Sequence, residues 1–166
     1  MNLSPISLAF ADYVRKALSE TTVDAHWTVP DGRIFLVGNG GSAAIASHIA
    51  TDLMKSGRSS YVLTDPAVFS AYANDSGYAH VYQDQIRQHA GAVSTLVAIS
   101  SSGKSANITN AAQAALEAGW SVVTLSGFKP SNPLRQLGHY NYYVPCTNYG
   151  VVEISHLTIL HSLVNP

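Results

Sequence analysis

Residues 33–42 read RIFLVGNGGS, and the rest of the chain is organised around this stretch. Its apolar run ends abruptly in a glycine-rich turn, and an alanine-rich segment with helical spacing follows at 43–55. A short apolar run bounded by glycines is typical of a buried parallel strand, and glycines let backbone N–H groups approach an anion closely. A helix N-terminus adds free N–H groups and a positive dipole end. The stretch therefore predicts a strand, an anion-binding loop and a helix.

The same alternation continues along the chain. Apolar runs predict five strands, at 33–37, 59–63, 94–99, 121–125 and 141–144. Helices are expected around them, at 4–20, 43–55, 67–73, 78–90, 106–118 and 152–164, with a turn at 74–77. Strands that alternate with helices pair in parallel through right-handed crossovers. We therefore expect a single-domain α-β-α sandwich over residues 1–166, with a central five-stranded parallel sheet of flavodoxin-like, nucleotide-binding-type topology. Residues 1–32 would form an N-terminal helix and a connection, and residues 33–166 the core.

The composition limits the class of function. Charged residues make up only 11% of the 166 residues, which is low for the surface of a monomer and indicates burial between subunits. A formal net charge of −1 provides no general attraction for nucleic acid or an anionic membrane. No apolar run approaches the roughly 20 residues that span a bilayer, and the start lacks the pattern of a signal peptide. With Cys146 as the only cysteine, we expect a cytoplasmic protein without an internal disulfide.

A second loop of the same kind follows the strand at 94–99. Residues 100–105 read SSSGKS and lead into another alanine-rich helical segment. Serine hydroxyls, a glycine and a helix N-terminus together suit a phosphate monoester. Because ligands of open α/β sheets bind beyond the carboxyl ends of the strands, we expect both loops to face one site.

Two nucleotide-binding motifs are partly matched. Gly38, Gly40 and Ala43 fit the G-x-G-x-x-[G/A] dinucleotide fingerprint, with Asp65 near the end of the next strand as a ribose-binding acid. A nicotinamide-dependent oxidoreductase is the less favoured alternative, because it leaves the serine loop and the C-terminal histidines without a function. The serine loop also imitates the end of a P-loop, but Ala98 stands where that motif requires its first glycine.

Two helices carry the titratable residues that the sequence offers for chemistry. His48 and Asp52 are four residues apart, so they share one face of the helix after the glycine loop. The last helix carries Glu153, His156 and His161 among large apolar residues. A helix this apolar is usually buried, and buried Glu or His side chains need polar partners. Glu153 and His161 lie about 12 Å apart along the axis, so a group that both contact must lie beside the helix at mid-height.

The chain resembles SIS (sugar isomerase) domains from residue 33 to residue 161. The shared motifs are the glycine loop at 38–42, His48, Asn74-Asp75-x-Gly77-Tyr78, the serine loop at 100–105 and Glu153-x-x-His156-x-x-x-x-His161. Among SIS domains, the motifs resemble those of phosphoheptose isomerases, which convert sedoheptulose 7-phosphate to a heptose 7-phosphate. The resemblance implies an intramolecular oxidoreductase that acts by enediol proton transfer, without a nicotinamide cofactor.

The resemblance also implies roles for individual residues. Asp52 and His161 match the catalytic positions, and zinc would be bound by His48, Asp52, Glu153 and His161. The substrate-binding positions would be Asn39, Gly40, Gly41, Ser42, Asn74, Asp75, Ser100, Ser101, Ser102, Ser105 and Glu153. Asp52 stands where the family usually has a glutamate, and Glu153 where many members have a glutamine.

Aldose–ketose isomerisation fits these residues. It needs a carboxylate at the carbon that loses a proton, an acid/base at the oxygens and a distant phosphate anchor. Asp52 suits the first role and His161 the second. The family further implies a homo-oligomer, a tetramer rather than a dimer, with active sites shared between chains. The alternative is a non-catalytic SIS domain, either a sugar-phosphate sensor or an assembly factor for replication initiators, which would not need Asp52, Glu153 and His161 together.

Overall fold

A computed structural model of the chain describes residues 4–164. Its helices are α1 Pro5–Ser19, α2 Gly41–Lys55, α3 Pro66–Ser76, α4 Val81–Gln88, α5 Ala106–Glu117 and α6 Tyr149–Val164. Its strands are β1 Thr22–Val23, β2 Arg33–Val37, β3 Ser60–Val62, β4 Ser94–Ser100, β5 Ser121–Ser126 and β6 Tyr140–Tyr143. Short 3₁₀ turns precede α4 and β6, at Tyr78–His80 and Leu134–Gln136.

The strands form one sheet in the order β1-β6-β5-β4-β2-β3. β2 to β6 pair in parallel, whereas β1 adds a sixth strand at the edge, antiparallel to β6. The α/β sandwich and its five parallel strands are confirmed, and the sheet has one antiparallel strand more than was predicted. Two residues are too few to show the alternation by which a half-buried strand is recognised, so Thr22–Val23 was assigned to a connection.

Helices cover both faces of the sheet. Alternate residues of β2 face opposite layers, as the two-residue repeat of a strand requires. Ile34 and Leu36 pack with α1, α2 and α6, whereas Phe35 and Val37 pack with α4 and α5. This arrangement brings α2 and α6 together on one face of the sheet, and these two helices carry the titratable residues named above.

Three boundaries differ from the prediction. α3 continues to Ser76, so Asn74 and Asp75 lie in its last turn rather than in a separate loop. Residues 78–80 form a 3₁₀ turn before α4 rather than its first residues. α6 begins at Tyr149, three residues earlier than expected. In the part of the chain that the structure describes, no helix has the length and apolarity needed to cross a membrane.

Candidate active site

The glycine loop at 38–42 and the serine loop at 100–105 face one cavity, beyond the carboxyl ends of β2 and β4. The cavity has a volume of about 320 Å³. It is lined by both loops and the start of α6: Asn39, Gly40, Gly41, Ser42, Ile99, Ser100, Ser101, Ser102, Ser105, Tyr149 and Glu153. All of the predicted substrate-binding residues except Asn74 and Asp75 therefore meet at one place.

The serine loop offers neutral hydrogen-bond donors to this cavity. Within residues 4–164, Ser101 Oγ is buried without a hydrogen-bond partner, and Ser100 Oγ lies 3.3 Å from Ser105 Oγ. Leaving a buried hydroxyl unpaired costs free energy, which a bound ligand would recover. Among the described residues, the Ser105 side chain makes no capping bond to α5, although the Ile108 N–H bonds the Ser105 carbonyl, so the first N–H groups of the helix stay available to an anion. Hydroxyls and backbone N–H groups in this arrangement suit a phosphate.

The shape of the serine loop depends on Gly103 and Asn132. Gly103 has a φ of 63°, and a Cβ at this position would overlap the side chain of Asn132. The Asn132 amide donates to Ser126 Oγ and Gly127 O, while its oxygen accepts from Arg135 N. The Asn132 side chain therefore packs against the serine loop at Gly103 and helps to fix the conformation of the loop. No sequence motif links Asn132 to the serine loop, because the contact comes from the folding of a distant segment.

Glu153 reaches from α6 to the start of α2. Its carboxylate occupies the space that a Cβ at Gly41 would need, so a side chain at position 41 would displace the Glu153 carboxylate. The positive end of the α2 dipole favours a carboxylate at this place. Glu153 thus forms part of the wall of the serine-lined cavity.

A cluster of titratable side chains lies farther along the seam between α2 and α6. Asp52 Oδ2 is 3.5 Å from His161 Nδ1 and 3.9 Å from His48 Nε2, and the Nε2 atoms of the two histidines are 3.2 Å apart. One donor atom from each residue lies within 4.8 Å of the others. Two imidazoles and a carboxylate are the donor set of many catalytic zinc sites, so the cluster fits a metal ion chemically. Among the described residues, the fourth expected ligand, Glu153, is not part of this group.

The cluster is open to solvent in the single chain. The side chains of His48, His161 and Asp52 are 54%, 38% and 22% exposed, respectively. About 12 Å separates Glu153 from His161 along α6, so the cluster and the serine-lined cavity are two ends of one surface. Such a surface matches a ligand that has a phosphate at one end and its reacting carbons at the other.

His156 is the third titratable residue of α6, and it faces the core. Its side chain is completely buried, with Nε2 3.2 Å from the carbonyl oxygen of Ser126. Burial lowers the pKa of His156 to about 4, although the hydrogen bond to Ser126 opposes this shift. The ring is therefore neutral near pH 7 and joins α6 to the end of β5.

Asn74 and Asp75 do not line the cavity. Both are exposed in the last turn of α3, where the Asn74 amide donates to the Asp75 carboxylate. Their predicted contact with the substrate stays a prediction. The residue of this segment that reaches the glycine loop is Tyr78, whose hydroxyl donates to Asn39 Oδ1 at 2.9 Å.

The proposed ribose-binding acid has a different role in the structure. Asp65 is the N-cap of α3, and its Oδ1 accepts from the N–H groups of Ala67 and Val68 at 3.0 Å each. An aspartate followed by proline is a common start of a helix, so this role accounts for Asp65 without a dinucleotide.

The sequence analysis did not single out Tyr149 and Ile99, which line the cavity, or Asn107, which bonds to the glycine loop beside it. Tyr149 lines the cavity from the first turn of α6, with its ring 4.7 Å from the ring of Phe128. It was missed because α6 was expected to begin at 152. Asn107 is buried in the first turn of α5, where it pairs with Asn39. A buried asparagine in an alanine-rich helix is itself a signal, because asparagine is unfavourable within helices unless its side chain has a partner.

Comparisons with known proteins agree with this geometry. The family model described as SIS domain matches residues 16–127. A phosphoheptose isomerase of Neisseria meningitidis serogroup C is 31% identical over 180 residues, covering 95% of this chain and 90% of that protein. The solved phosphoheptose isomerase GmhA from Neisseria gonorrhoeae has a TM-score of 0.76 at 29% identity, over 96% of this chain and 83% of that chain.

A more distant likeness is limited to the fold. The Vibrio vulnificus NanR protein, solved in complex with ManNAc-6P, has a TM-score of 0.71 at 18% identity, over 96% of this chain and 61% of that chain. The SIS domain model spans well over half of the 166 residues. The chain therefore belongs to the SIS domain family.

Proposed function

We propose that the chain is a sugar-phosphate aldose–ketose isomerase, which converts sedoheptulose 7-phosphate to a heptose 7-phosphate. The observation that carries the proposal is the placement of a phosphate-type cavity and a carboxylate–histidine cluster along the same two helices, α2 and α6. The phosphoheptose isomerases among the relatives support this choice of substrate. Residues 1–166 would act as one SIS domain.

In this proposal the serine loop binds the phosphate, and the glycine loop with Glu153 contacts the sugar chain. Binding energy from the phosphate orients the distant reacting carbons. Asp52 moves the proton between the two carbons of the enediol, and His161 moves protons at their oxygens. A carboxylate and an imidazole 3.5 Å apart can serve neighbouring atoms of one substrate.

We further propose that the cluster binds zinc through His48, Asp52 and His161, with Glu153 as the additional ligand that the family resemblance implies. When bound, the ion would polarise the carbonyl group of the sugar. Asp52 and His161 keep the acid/base roles proposed above, and His48 orients the cluster. Metal analysis of the purified protein, before and after chelation, tests this part of the proposal directly.

We also propose a homotetramer in which neighbouring chains complete each site. Large apolar side chains of α1 are exposed, with Ile6 at 83% and Leu8 at 53%. On α6, Ile154 is 44% exposed next to Glu153. A second copy of the chain that covers these residues would also shield the solvent-exposed His48, and this would raise the strength of the electrostatic interactions in the cluster.

Two measurements test the proposed function. A sugar phosphate at 100 times its dissociation constant should add about 2.7 kcal/mol of apparent stability, and the dephosphorylated sugar should add none. Incubation with sedoheptulose 7-phosphate should then give an aldose 7-phosphate, which NMR detects by its anomeric protons. An equal gain in stability from the sugar phosphate and from the dephosphorylated sugar would show that the serine loop does not bind the phosphate. Binding without any product from a panel of ketose phosphates would favour the sugar-phosphate sensor.

A further inference from the structure

A pair of asparagine side chains joins the two loops of the cavity. Asn39 Nδ2 donates to Asn107 Oδ1 at 2.9 Å, and Asn107 Nδ2 donates back to Asn39 Oδ1 at 2.8 Å. The Asn39 oxygen also accepts from the hydroxyl of Tyr78 at 2.9 Å. Asn107 is only 2% exposed and Asn39 is half-buried, so the Asn107 side of the pair is shielded from competing water.

These bonds determine what Asn39 can offer to a ligand. A side-chain amide oxygen accepts two hydrogen bonds, and Asn107 and Tyr78 supply both of them. One of the two N–H groups of the Asn39 amide is also in use. The Asn39 side chain can therefore present only its second N–H group to a substrate, and it mainly anchors the glycine loop.

The anchor connects the segments that form the cavity. Asn107 follows the serine loop in the first turn of α5, whereas Asn39 lies directly after β2. Tyr78 belongs to the 3₁₀ turn at Tyr78–His80. α5 also bonds this turn directly, because Asn110 Nδ2 donates to Ala79 O at 2.9 Å. The glycine loop also contains Gly40, which is exposed and has a φ of 53°. Since glycine-rich segments have many accessible conformations, such a loop needs an external contact to keep one of them.

We propose that Asn107 is a positioning residue for the isomerase: its amide, together with the Tyr78 hydroxyl, holds Asn39 and fixes the glycine loop at the separation from the serine loop that a sugar phosphate spans. The proposal rests on the function proposed above. It predicts that Asn107 matters for a ligand that contacts both loops, and not for a ligand that contacts the serine loop alone.

The experiment compares two ligands by calorimetric titration. Asn107→Leu keeps the approximate volume and removes both amide bonds, and Tyr78→Phe removes one hydroxyl. We expect the affinity for sedoheptulose 7-phosphate to fall about tenfold in Asn107→Leu and about threefold in Tyr78→Phe, as expected for the loss of two bonds and of one. The affinity for inorganic phosphate should change less than about twofold in both variants. The kcat/KM of the folded variants should fall by the same factors as the sugar-phosphate affinity.

Two further variants separate positioning from stability. Asn39→Ala combined with Asn107→Leu should bind no more weakly than Asn39→Ala alone, because Asn107 acts through Asn39. Asn141→Leu is the matched control, since Asn141 is a buried asparagine that bonds Thr124 and Gly138 outside the cavity. It should lower the Tm and leave both affinities unchanged. If Asn107→Leu does not fold, Tyr78→Phe alters an exposed side chain and provides the same comparison between ligands.

An equal loss for sedoheptulose 7-phosphate and inorganic phosphate in Asn107→Leu would place Asn107 in the phosphate site itself and overturn the proposal. An unchanged sugar-phosphate affinity would overturn it as well. Failure of the isomerase proposal is seen in the parent protein, as an absence of turnover or of sugar-phosphate binding. Failure of the positioning proposal is seen only in the variants.

Discussion

Asp52 is one methylene shorter than the glutamate that SIS isomerases usually have at this position, yet its carboxylate reaches the histidine of the facing helix. Oδ2 lies 3.5 Å from His161 Nδ1. The close contact of α2 and α6 makes this possible, because the shorter side chain starts from a backbone that lies next to its partner. The change to aspartate therefore keeps a carboxylate in the cluster.

Removing the charge or the imidazole should remove turnover. Asp52→Asn keeps the size of the side chain, and His161→Gln keeps a polar group, so each should lower kcat by about 10²–10⁴-fold through loss of acid/base catalysis. The affinity for inorganic phosphate should stay close to that of the parent, because neither residue lines the serine-lined cavity.

Asp84→Asn on α4 is the control, because Asp84 pairs with Arg87 on the surface, outside the cavity and the cluster. Its kcat should equal that of the parent. The metal content of each variant must be measured alongside, so that loss of a ligand is separated from loss of acid/base chemistry. Turnover at the parent rate in Asp52→Asn and His161→Gln would show that the catalytic assignment is wrong.

Alanine substitutions at Gly103 and Gly119 test whether Asn132 supports the serine loop. Gly119→Ala meets no atom within 4 Å and should lose only the roughly 1–2 kcal/mol of a left-handed alanine, since φ is 74° there. Gly103→Ala adds an overlap with Asn132, so its free energy of unfolding should fall by at least about 1 kcal/mol more. Chemical denaturation measures both. A Gly103→Ala protein as stable as Gly119→Ala would contradict the proposed support by Asn132.

Helix α6 carries site residues on one side and the buried histidine His156 on the other. Glu153 and His161 face the cavity and the cluster, whereas His156 enters the core and contacts the carbonyl of Ser126. The next residue, Gly127, donates its N–H to the carbonyl of Ser101 in the serine loop. The buried imidazole of His156 therefore fixes α6 relative to the serine loop.

This anchor predicts a pH dependence of stability. The folded-state pKa of His156 is lowered to about 4 by burial, whereas an unfolded histidine has a pKa near 6.5. As the pH falls from about 6.5 to about 4, the unfolded chain binds a proton that the folded chain does not. The free energy of unfolding should therefore decrease by about 3 kcal/mol over this window and be fully recovered above it.

His156→Gln should lose this part of the slope, which corresponds to about 1.4 kcal/mol per pH unit for one proton. Burial also lowers the pKa of His89, so the parent slope contains a second contribution that the variant retains. Denaturation curves between pH 5 and 7 measure the difference. If the variant does not fold, an NMR titration of the parent should show the His156 ring neutral down to pH 5. Equal slopes, or a ring that protonates near 6.5, would contradict the anchor.

At the scale of elements, the buried strands and the helices that follow them were predictable. β2 and α2 follow from the RIFLVGNGGS stretch because an apolar run and a helical spacing are local properties of the chain. The antiparallel edge strand was not predictable, since its two residues gain their structure only by pairing with β6. The start of α6 was missed although a local signal marks it, because Asn148 Oδ1 accepts from the N–H of Val151 as an N-cap residue does.

The candidate site, like the fold, was predictable only in part. The residue types and loops were recognisable in the sequence, since each belongs to a local motif. The partners of those residues were not, because the contacts of Glu153 with Gly41 and of Asn107 with Asn39 join segments that are distant in the sequence. A helix spacing places His48 beside Asp52, but only the packing of α6 on α2 adds His161 to the pair.

On the scale of the whole molecule, helix α1 exposes several large apolar side chains, Leu8 at 53% among them, and the proposed tetramer would cover them. Leu8→Glu should therefore convert the proposed tetramer to smaller species at micromolar concentration and lower the turnover number. Val93→Glu is the matched control, because Val93 is 88% exposed but lies in the loop before β4. It should keep the parent assembly. Sedimentation velocity measures both, and a parent protein that is monomeric and fully active would contradict shared sites.

The central claim is that this chain moves a proton between adjacent carbons of a ketose phosphate. The most direct test is to incubate the parent protein with sedoheptulose 7-phosphate in deuterated buffer and to follow the carbon next to the carbonyl by NMR. Enediol chemistry predicts deuterium at that carbon in the parent, and about 10²–10⁴-fold slower uptake in Asp52→Asn. No deuterium uptake from any ketose phosphate that the parent protein binds would contradict the claim.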